Sequence, residues 1–201
     1  DLSSWRLALN GSEAVSAETI ERFTGRFAAY GLKPAAMCPA YGLAEASVAL
    51  TIPAPGEGPR IDTISRAAFQ ESGRAVPAAP EEPAPLEFVS CGPPLADHDV
   101  RVVDADGRPL GERAQGRIEF RGPSVTEGYW RNETATRAVR HDGWMDSGDL
   151  GYWADGELYI TGRQKDLIKK AGRNLYPQEV DAPLHGRNPP QGMQGDLQFV
   201  G

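Results

Sequence analysis

Three stretches carry side chains whose type and spacing suit chemistry better than packing. In "PAYGLAEAS" (residues 39–47), Tyr41 and Gly42 close a short apolar run and Glu45 follows. That places a carboxylate at the C-terminal edge of a parallel sheet, where open α/β folds bind ligands. A hard carboxylate there suits Mg²⁺ shared with nucleotide phosphates, although Glu45 would equally cap the next helix. In "DSGDLG" (146–151), glycines flank Asp149 and Leu150. Glycine lets the backbone approach a ligand closely, and the two carboxylate oxygens of Asp149 fit the two hydroxyls of a ribose. Asp and Gly are also ordinary turn residues, so a plain turn is the alternative. In "TGRQKDLIKKAG" (161–172), Arg163 is a fixed cation within reach of ribose or phosphate oxygens. Asp166 follows in a polar segment between two compact β units, a hinge position. A surface hairpin with solvated charges explains the same residues.

These groups need a scaffold, and the chain supplies two kinds. "WRLALNG" (5–11) reads as a short strand. Ser16 caps a helix with Glu18 in its first turn. Ile20, Phe23, Phe27 and Tyr30 form one apolar stripe, and Gly31 suits the C-cap. "AAMCPAYG" is a second buried strand, and strand–helix–strand marks a parallel α/β layer. Between residues 53 and 94 lie nine of the seventeen prolines, which predicts an irregular, surface-running connection. Within it "IDTISRAAFQ" is a strand end or one or two helical turns. Beyond Leu86 the pattern is β: "LEFVSCG", "DVRVVD", "GRIEFRG" and "GELYITG" are short and β-branched or aromatic. "DADG" and "ADG" are hairpin turns, and Asn132 caps a short helix through Arg140. "DLIKKAGRNLYPQEV" reads as strand, Gly-centred turn and strand, with Pro177 opening a helix that "APLHGRNPPQG" breaks at once.

Bulk properties exclude several functions. A net charge of −7 argues against nucleic acid or an anionic membrane as main partner. The basic run Arg163, Lys165, Lys169, Lys170 and Arg173 is a solvated hairpin or a small anion site. Cys38, Cys91 and three scattered histidines have neither disulfide-framework nor metal-ligand spacing. No apolar run is long enough to span a membrane. The first residues resemble neither an initiator nor a signal peptide, as though cut from something longer. A cytoplasmic location is expected.

Taken in order, "YGLAE", "GWMDSGDLG" and "GRQKDLIKKAGRNLYPQEV" resemble the adenylate-forming superfamily: acyl-CoA synthetases, peptide-synthetase adenylation domains and luciferase-like enzymes. Those enzymes show Tyr-Gly-x-x-Glu, then Thr/Ser-Gly-Asp, then Gly-Arg-x-x-Asp. "LNGSEAV", "VSCGPPL", "GPSVTEGYW" and "GRNLYPQEV" are similar to the fatty acyl-AMP ligase branch, as is a long segment after "YGLAE". In "IKKAG", however, Lys169 resembles the acyl-CoA synthetases, which leaves the acyl acceptor open between carrier protein and CoA. The resemblance runs from Trp5 to about Asp181 and implies ATP/AMP and Mg²⁺ as cofactors and a fatty acid as substrate. It implies that Gly11, Ser12, Glu13, Tyr41, Gly42, Asp149 and Arg163 bind nucleotide. Glu45 would hold Mg²⁺ and phosphate, Asp166 would be the hinge, and Lys169 would serve the second half-reaction.

The expected fold is an α/β fragment plus a β-rich subdomain. It holds the end of a parallel α/β layer (1–55), a proline-rich connection (56–85) and a distorted antiparallel, barrel-like subdomain (86–165). The hinge and start of a small α+β C-terminal domain (166–181) follow, then a tail unlike the family (182–201). The resemblance also implies a Ser/Thr/Gly-rich phosphate loop and a late catalytic lysine, neither of which occurs in these 201 residues. Three functions fit: an enzyme fragment inactive alone, one half of a split enzyme, or a non-catalytic module that binds nucleotide or carrier protein.

Overall fold

The structure, a computed structural model, describes residues 1–170 and 173–175, the last two short strands by their backbone alone. Strand β1 (Ala8–Asn10), helix α1 (Ala17–Phe27) and strand β2 (Met37–Pro39) form the expected unit, with β1 parallel to β2 and Leu9 opposite Cys38. The Ser16 Oγ accepts from the Thr19 N–H at 3.4 Å and starts α1. A 3-10 turn over Ala28–Tyr30 tightens its end, and Gly31 closes it in the left-handed region. Ile20 is buried with Leu32, Ala36, Met37 and Val89, and the Phe23 and Phe27 rings meet at 4.7 Å. Tyr30 is not covered: it stands 52% exposed, so the apolar stripe outlasts the surface it packs on.

The proline-rich stretch holds both the strand end and the helical turns expected at "IDTISRAAFQ". It contains β3 (Ile61–Ile64), helix α2 (Arg66–Ser72) and β4 (Leu86–Val89), with β3 and β4 antiparallel. Its prolines lie outside these elements, because each lacks the N–H that a ladder or helix uses. Phe69 and Ile64 are fully buried. Phe69 packs on Phe88 and Tyr152 at 5.5 and 5.9 Å, and burying such a ring stabilises by about 2–3 kcal/mol. The segment is therefore a structural wall and not a mere connection.

Strands β5 (Asp99–Val103), β6 (Gly116–Arg121), β7 (Arg140–His141), β8 (Trp144–Ala154) and β9 (Glu157–Arg163) make one antiparallel sheet. Strand β8 is its spine, pairing with β6, β7 and β9. The β8–β9 hairpin turns on Asp155 and Gly156, both at positive φ, as a tight two-residue turn demands. Helix α3 (Glu133–Val139) is capped by Asn132, whose side-chain oxygen accepts from the Ala135 N–H at 3.0 Å. Val102, Ile118, Phe120, Met145 and Leu158 from this sheet share a core with Tyr41, Leu50 and Cys91. That shared core fixes the parallel unit against the sheet. Strands β10 (Ile168–Lys170) and β11 (Arg173–Leu175) pair antiparallel; the turn expected between them lies outside the described residues. The helix expected at Pro177 and the tail 182–201 lie outside the described residues. Among the described residues no helix is long and apolar enough to cross a membrane.

Candidate functional site

The C-terminal ends of β1 and β2 meet the middle of β8. Ala40 donates its N–H to the Asn10 carbonyl at 2.8 Å, which sets Gly11 beside residue 40. One residue on, the Tyr41 hydroxyl donates to Asp149 Oδ2 at 2.8 Å. The other carboxylate oxygen of Asp149 faces Arg163 Nε at 3.3 Å. Asp149 and Arg163 are opposite residues in the β8–β9 ladder, so Arg163 arrives by register. Three of the expected nucleotide residues thus form one chain of contacts: Tyr41, Asp149 and Arg163.

Strand β8 is bulged where Asp149 sits. Between the pairs Glu119↔Asp146 and Arg117↔Leu150, β6 has one residue and β8 has three. A second slip occurs against β9 after Leu150, where Gly151 pairs with Ile160 and passes over Thr161. Such bulges re-aim side chains beside functional sites. Gly148 occupies the left-handed region at φ +73, which a side chain would resist. Gly42 has a different reason. A Cβ there would sit 2.0 Å from the Val48 carbonyl oxygen, so only glycine lets the chain fold back behind Tyr41.

The electrostatics follow from burial. Asp149 is only 8% exposed, and desolvation raises its pKa above the ordinary 3.8, while the donors Tyr41 and Arg163 pull it back. The Tyr41 phenol is pushed well above its ordinary range, first by burial and then by the Asp149 charge. Tyr41 therefore stays protonated and acts as a donor. Arg163 is 58% exposed in its side chain, so its guanidinium is open to an incoming anion or hydroxyl while it pairs with Asp149. The arrangement can hold a vicinal diol: a buried carboxylate steadied by one phenol, with an exposed cation beside it.

Glu45 lies in a 3-10 turn, Ala44–Ala46, and does not cap a following α-helix. Its backbone carbonyl accepts from the Thr126 N–H at 2.8 Å, and its Oε1 accepts from the Tyr129 hydroxyl at 2.8 Å. That bond raises the Tyr129 pKa. No cluster of three or more metal-ligating side chains occurs among the described residues. A lone, partly exposed carboxylate still fits Mg²⁺, which keeps several waters and takes other oxygens from phosphates.

Ser12 and Glu13 are exposed on the turn after β1, Ser12 at φ +73. Asp166 is exposed in the 3-10 turn Gln164–Asp166 that follows β9. Lys169 belongs to β10, and its side chain lies outside the description. Sequence reasoning missed Tyr129, although "GPSVTEGYW" had pointed to its neighbourhood. It also missed the side chains that hold the bulge. An aspartate two residues before a glycine is an Asx-turn signal, and Asp146-Ser147-Gly148 carried it.

Comparison with known proteins identifies the fold that carries these residues. Residues 1–130 match the family model described as AMP-binding enzyme. The chain is 38% identical over 199 residues to a medium-chain-fatty-acid–[acyl-carrier-protein] ligase of Moorena producens, covering 94% of this chain and 34% of that protein. It is 34% identical over 200 residues to a long-chain-fatty-acid–AMP ligase of Mycolicibacterium smegmatis, covering 90% and 32%. Among solved structures, one from a study of fatty acyl-adenylate ligases of E. coli and L. pneumophila superposes with a TM-score of 0.87 at 37% identity. That match covers 92% of this chain and 33% of the other. The chain thus spans about a third of the length of the curated relatives it matches. A family match over the parallel unit and the first two strands of the antiparallel sheet, with a solved fold superposing over 92% of the chain, leaves one assignment: the chain belongs to the AMP-binding enzyme family and carries part of the adenylate-forming fold.

Proposed function

We propose that this chain supplies the nucleoside-holding part of an ATP-dependent fatty-acid-activating ligase. In that reaction a fatty carboxylate oxygen attacks the α-phosphorus of ATP, the bond to the β-phosphate breaks, and acyl-AMP and pyrophosphate form. The acyl group then passes to a carrier protein or to CoA. The observation that carries the reading is the buried Asp149 carboxylate, presented by a bulged strand where two parallel strands end and held by Tyr41.

In this scheme Asp149 accepts the ribose hydroxyls, Arg163 supplements it, and the turn at Gly11, Ser12 and Glu13 lines the base side with Tyr41 and Gly42. Glu45 is the residue that would hold Mg²⁺. The ion would neutralise phosphate charge as the α-phosphorus is attacked. Asp166 would be the hinge between the β-rich part and a C-terminal domain beginning near residue 166, and Lys169 would act in transfer. The same reading divides the chain at about residues 55, 85, 165 and 181. The 201 residues contain no phosphate loop and no late lysine of the expected kind, so alone they bind nucleotide without forming acyl-AMP.

Calorimetric titration of the chain with AMP, and with an analogue lacking both ribose hydroxyls, tests this. Preference for AMP by roughly tenfold or more is expected, since a hydroxyl bond to a charged group is worth about 1.5–3 kcal/mol. Equal affinity for the two ligands would remove the ribose reading.

A further inference from the structure

A buried carboxylate on a bulge needs something to fix the bulge. The residues Ser147, Gly148 and Asp149 stand opposite the single residue Ile118, so the Gly148 and Asp149 N–H groups have no partner on β6. Side chains take them up. The Gly148 N–H donates to Asp146 Oδ1 at 2.8 Å, and the Asp149 N–H donates to Ser147 Oγ at 3.1 Å. Ser147 Oγ in turn donates to the Ile118 carbonyl at 2.9 Å, which pins the bulge to β6. The second oxygen of Asp146 is bound by the Arg117 guanidinium. Arg117 also lies 3.6 Å from Glu119, whose other oxygen receives Arg101 at 2.7 Å. Glu119 is 2% exposed, and Arg101 lies 4.0 Å over the Trp144 ring. The ion-pair chain runs across β5, β6 and β8 on the face opposite the apolar core.

From this geometry we infer that Arg117 and Asp146 are positioning residues: the Asp146 side-chain oxygen holds the Gly148 turn that aims Asp149 at its ligand, and Arg117 neutralises the carboxylate that supplies it. The inference rests on the ribose reading of Asp149. Neither side chain touches Tyr41 or Arg163 in the contacts described, so their influence passes through the turn and through charge. Three charged or titratable groups act directly on Asp149: Tyr41 and Arg163 as donors, and Asp146 as a like charge that raises its pKa. Arg117 neutralises that like charge. Loss of Arg117 and loss of the Asp146 charge therefore push the Asp149 titration in opposite directions, which a purely structural pair would not do.

The test uses the whole chain with four readouts: amide exchange at Gly148 and Asp149, the carboxyl NMR titration of Asp149, affinity for AMP against the analogue lacking both ribose hydroxyls, and melting temperature. Asp146→Asn keeps an oxygen for the Gly148 N–H, so exchange stays slow, AMP affinity stays within a few-fold, and the Asp149 titration moves down. Asp146→Ala removes the acceptor. Gly148 exchange then quickens, and AMP affinity falls roughly tenfold to a hundredfold, the scale of a supporting residue that lets a site drift. Arg117→Met keeps the long apolar stem, and it moves the Asp149 titration up while weakening AMP. Should Asp146→Ala fail to fold, Arg117→Met and Asp146→Asn carry the comparison through their opposite titration shifts. The inference is overturned if both variants leave the Asp149 titration unmoved, or if Asp146→Asn is as damaging as Asp146→Ala. Wild-type indifference to the ribose hydroxyls would sink the ribose reading alone, with exchange and titration still deciding whether the pair positions Asp149.

Discussion

Replacing Asp149 by asparagine should separate binding from folding. Asparagine keeps one side-chain oxygen, so the 2.8 Å bond from Tyr41 survives. What is lost is the negative charge, the second acceptor and the pairing with Arg163. That pairing is worth at most about 1 kcal/mol, because an ion pair whose arginine is mostly solvated is screened. Against this loss, a neutral amide is cheaper to bury than a carboxylate, and Asp149 is 8% exposed. The melting temperature should therefore hold or rise. Binding should behave differently. Losing one charge-assisted hydroxyl bond of about 1.5–3 kcal/mol lowers AMP affinity roughly tenfold to 150-fold. The variant should also distinguish AMP from an analogue without ribose hydroxyls less than the wild type does. Calorimetry with the two ligands and a thermal melt make the measurement. A collapsed melting temperature with AMP affinity kept within twofold would show that Asp149 is a turn residue, and the reasoning would fail.

Three further outcomes are expected. Asp149 has a raised pKa in the fold, so its contribution to stability is full below the ordinary 3.8 and is lost as pH rises through the raised value. AMP affinity should run the other way, falling as pH drops through that value; the difference between wild type and Asp149→Asn isolates both slopes, and parallel slopes would refute the assignment. Thr51 is fully buried, and its hydroxyl has no hydrogen-bond partner. Thr51→Val should stabilise by about 1 kcal/mol, a gain that chemical denaturation would detect and that any loss beyond error would contradict. Val48 sits at φ +130 and is 78% exposed. Val48→Gly should relieve strain of the order of 1 kcal/mol, raising the melting temperature by about 2–4 °C, whereas a fall would mean the turn is not strained.

Local signals in the sequence predicted local structure well. The Ser16 and Asn132 caps and the Asp155–Gly156 hairpin each depend on neighbours within a few residues, and the strand–helix–strand unit is read from three local patterns in series. Strand β8 was harder to see. Its two glycines and two aspartates around residues 146–151 read as turn chemistry, because a bulged strand borrows turn residues to bend. The packing role of Phe69 was hidden for another reason: prolines on either side advertise irregular backbone, and only tertiary contact reveals where the ring goes. The same limit applies to the site. Asp149 and Arg163 were visible as candidates, yet the bond from Tyr41 spans 108 residues of chain. The turn-versus-ligand ambiguity at Asp149 also has a physical answer, since the side chain serves the ligand side while Asp146 and Ser147 satisfy the turn.

The two thiols offer a practical consequence. Cys38 is 1% exposed within the parallel unit, and Cys91 is 4% exposed in the core shared with the antiparallel sheet. Burial raises both thiol pKa values, that of Cys91 to about 12. Alkylating reagents attack thiolates, so neither sulfur reacts until its surroundings open. The chain consequently carries two native reporters of local unfolding, one on each side of the junction that Tyr41 crosses. Timed labelling followed by peptide mass analysis would read the opening of each side separately, without adding a probe. Equal labelling rates would identify the two sides as one cooperative unit, and unequal rates would order their opening.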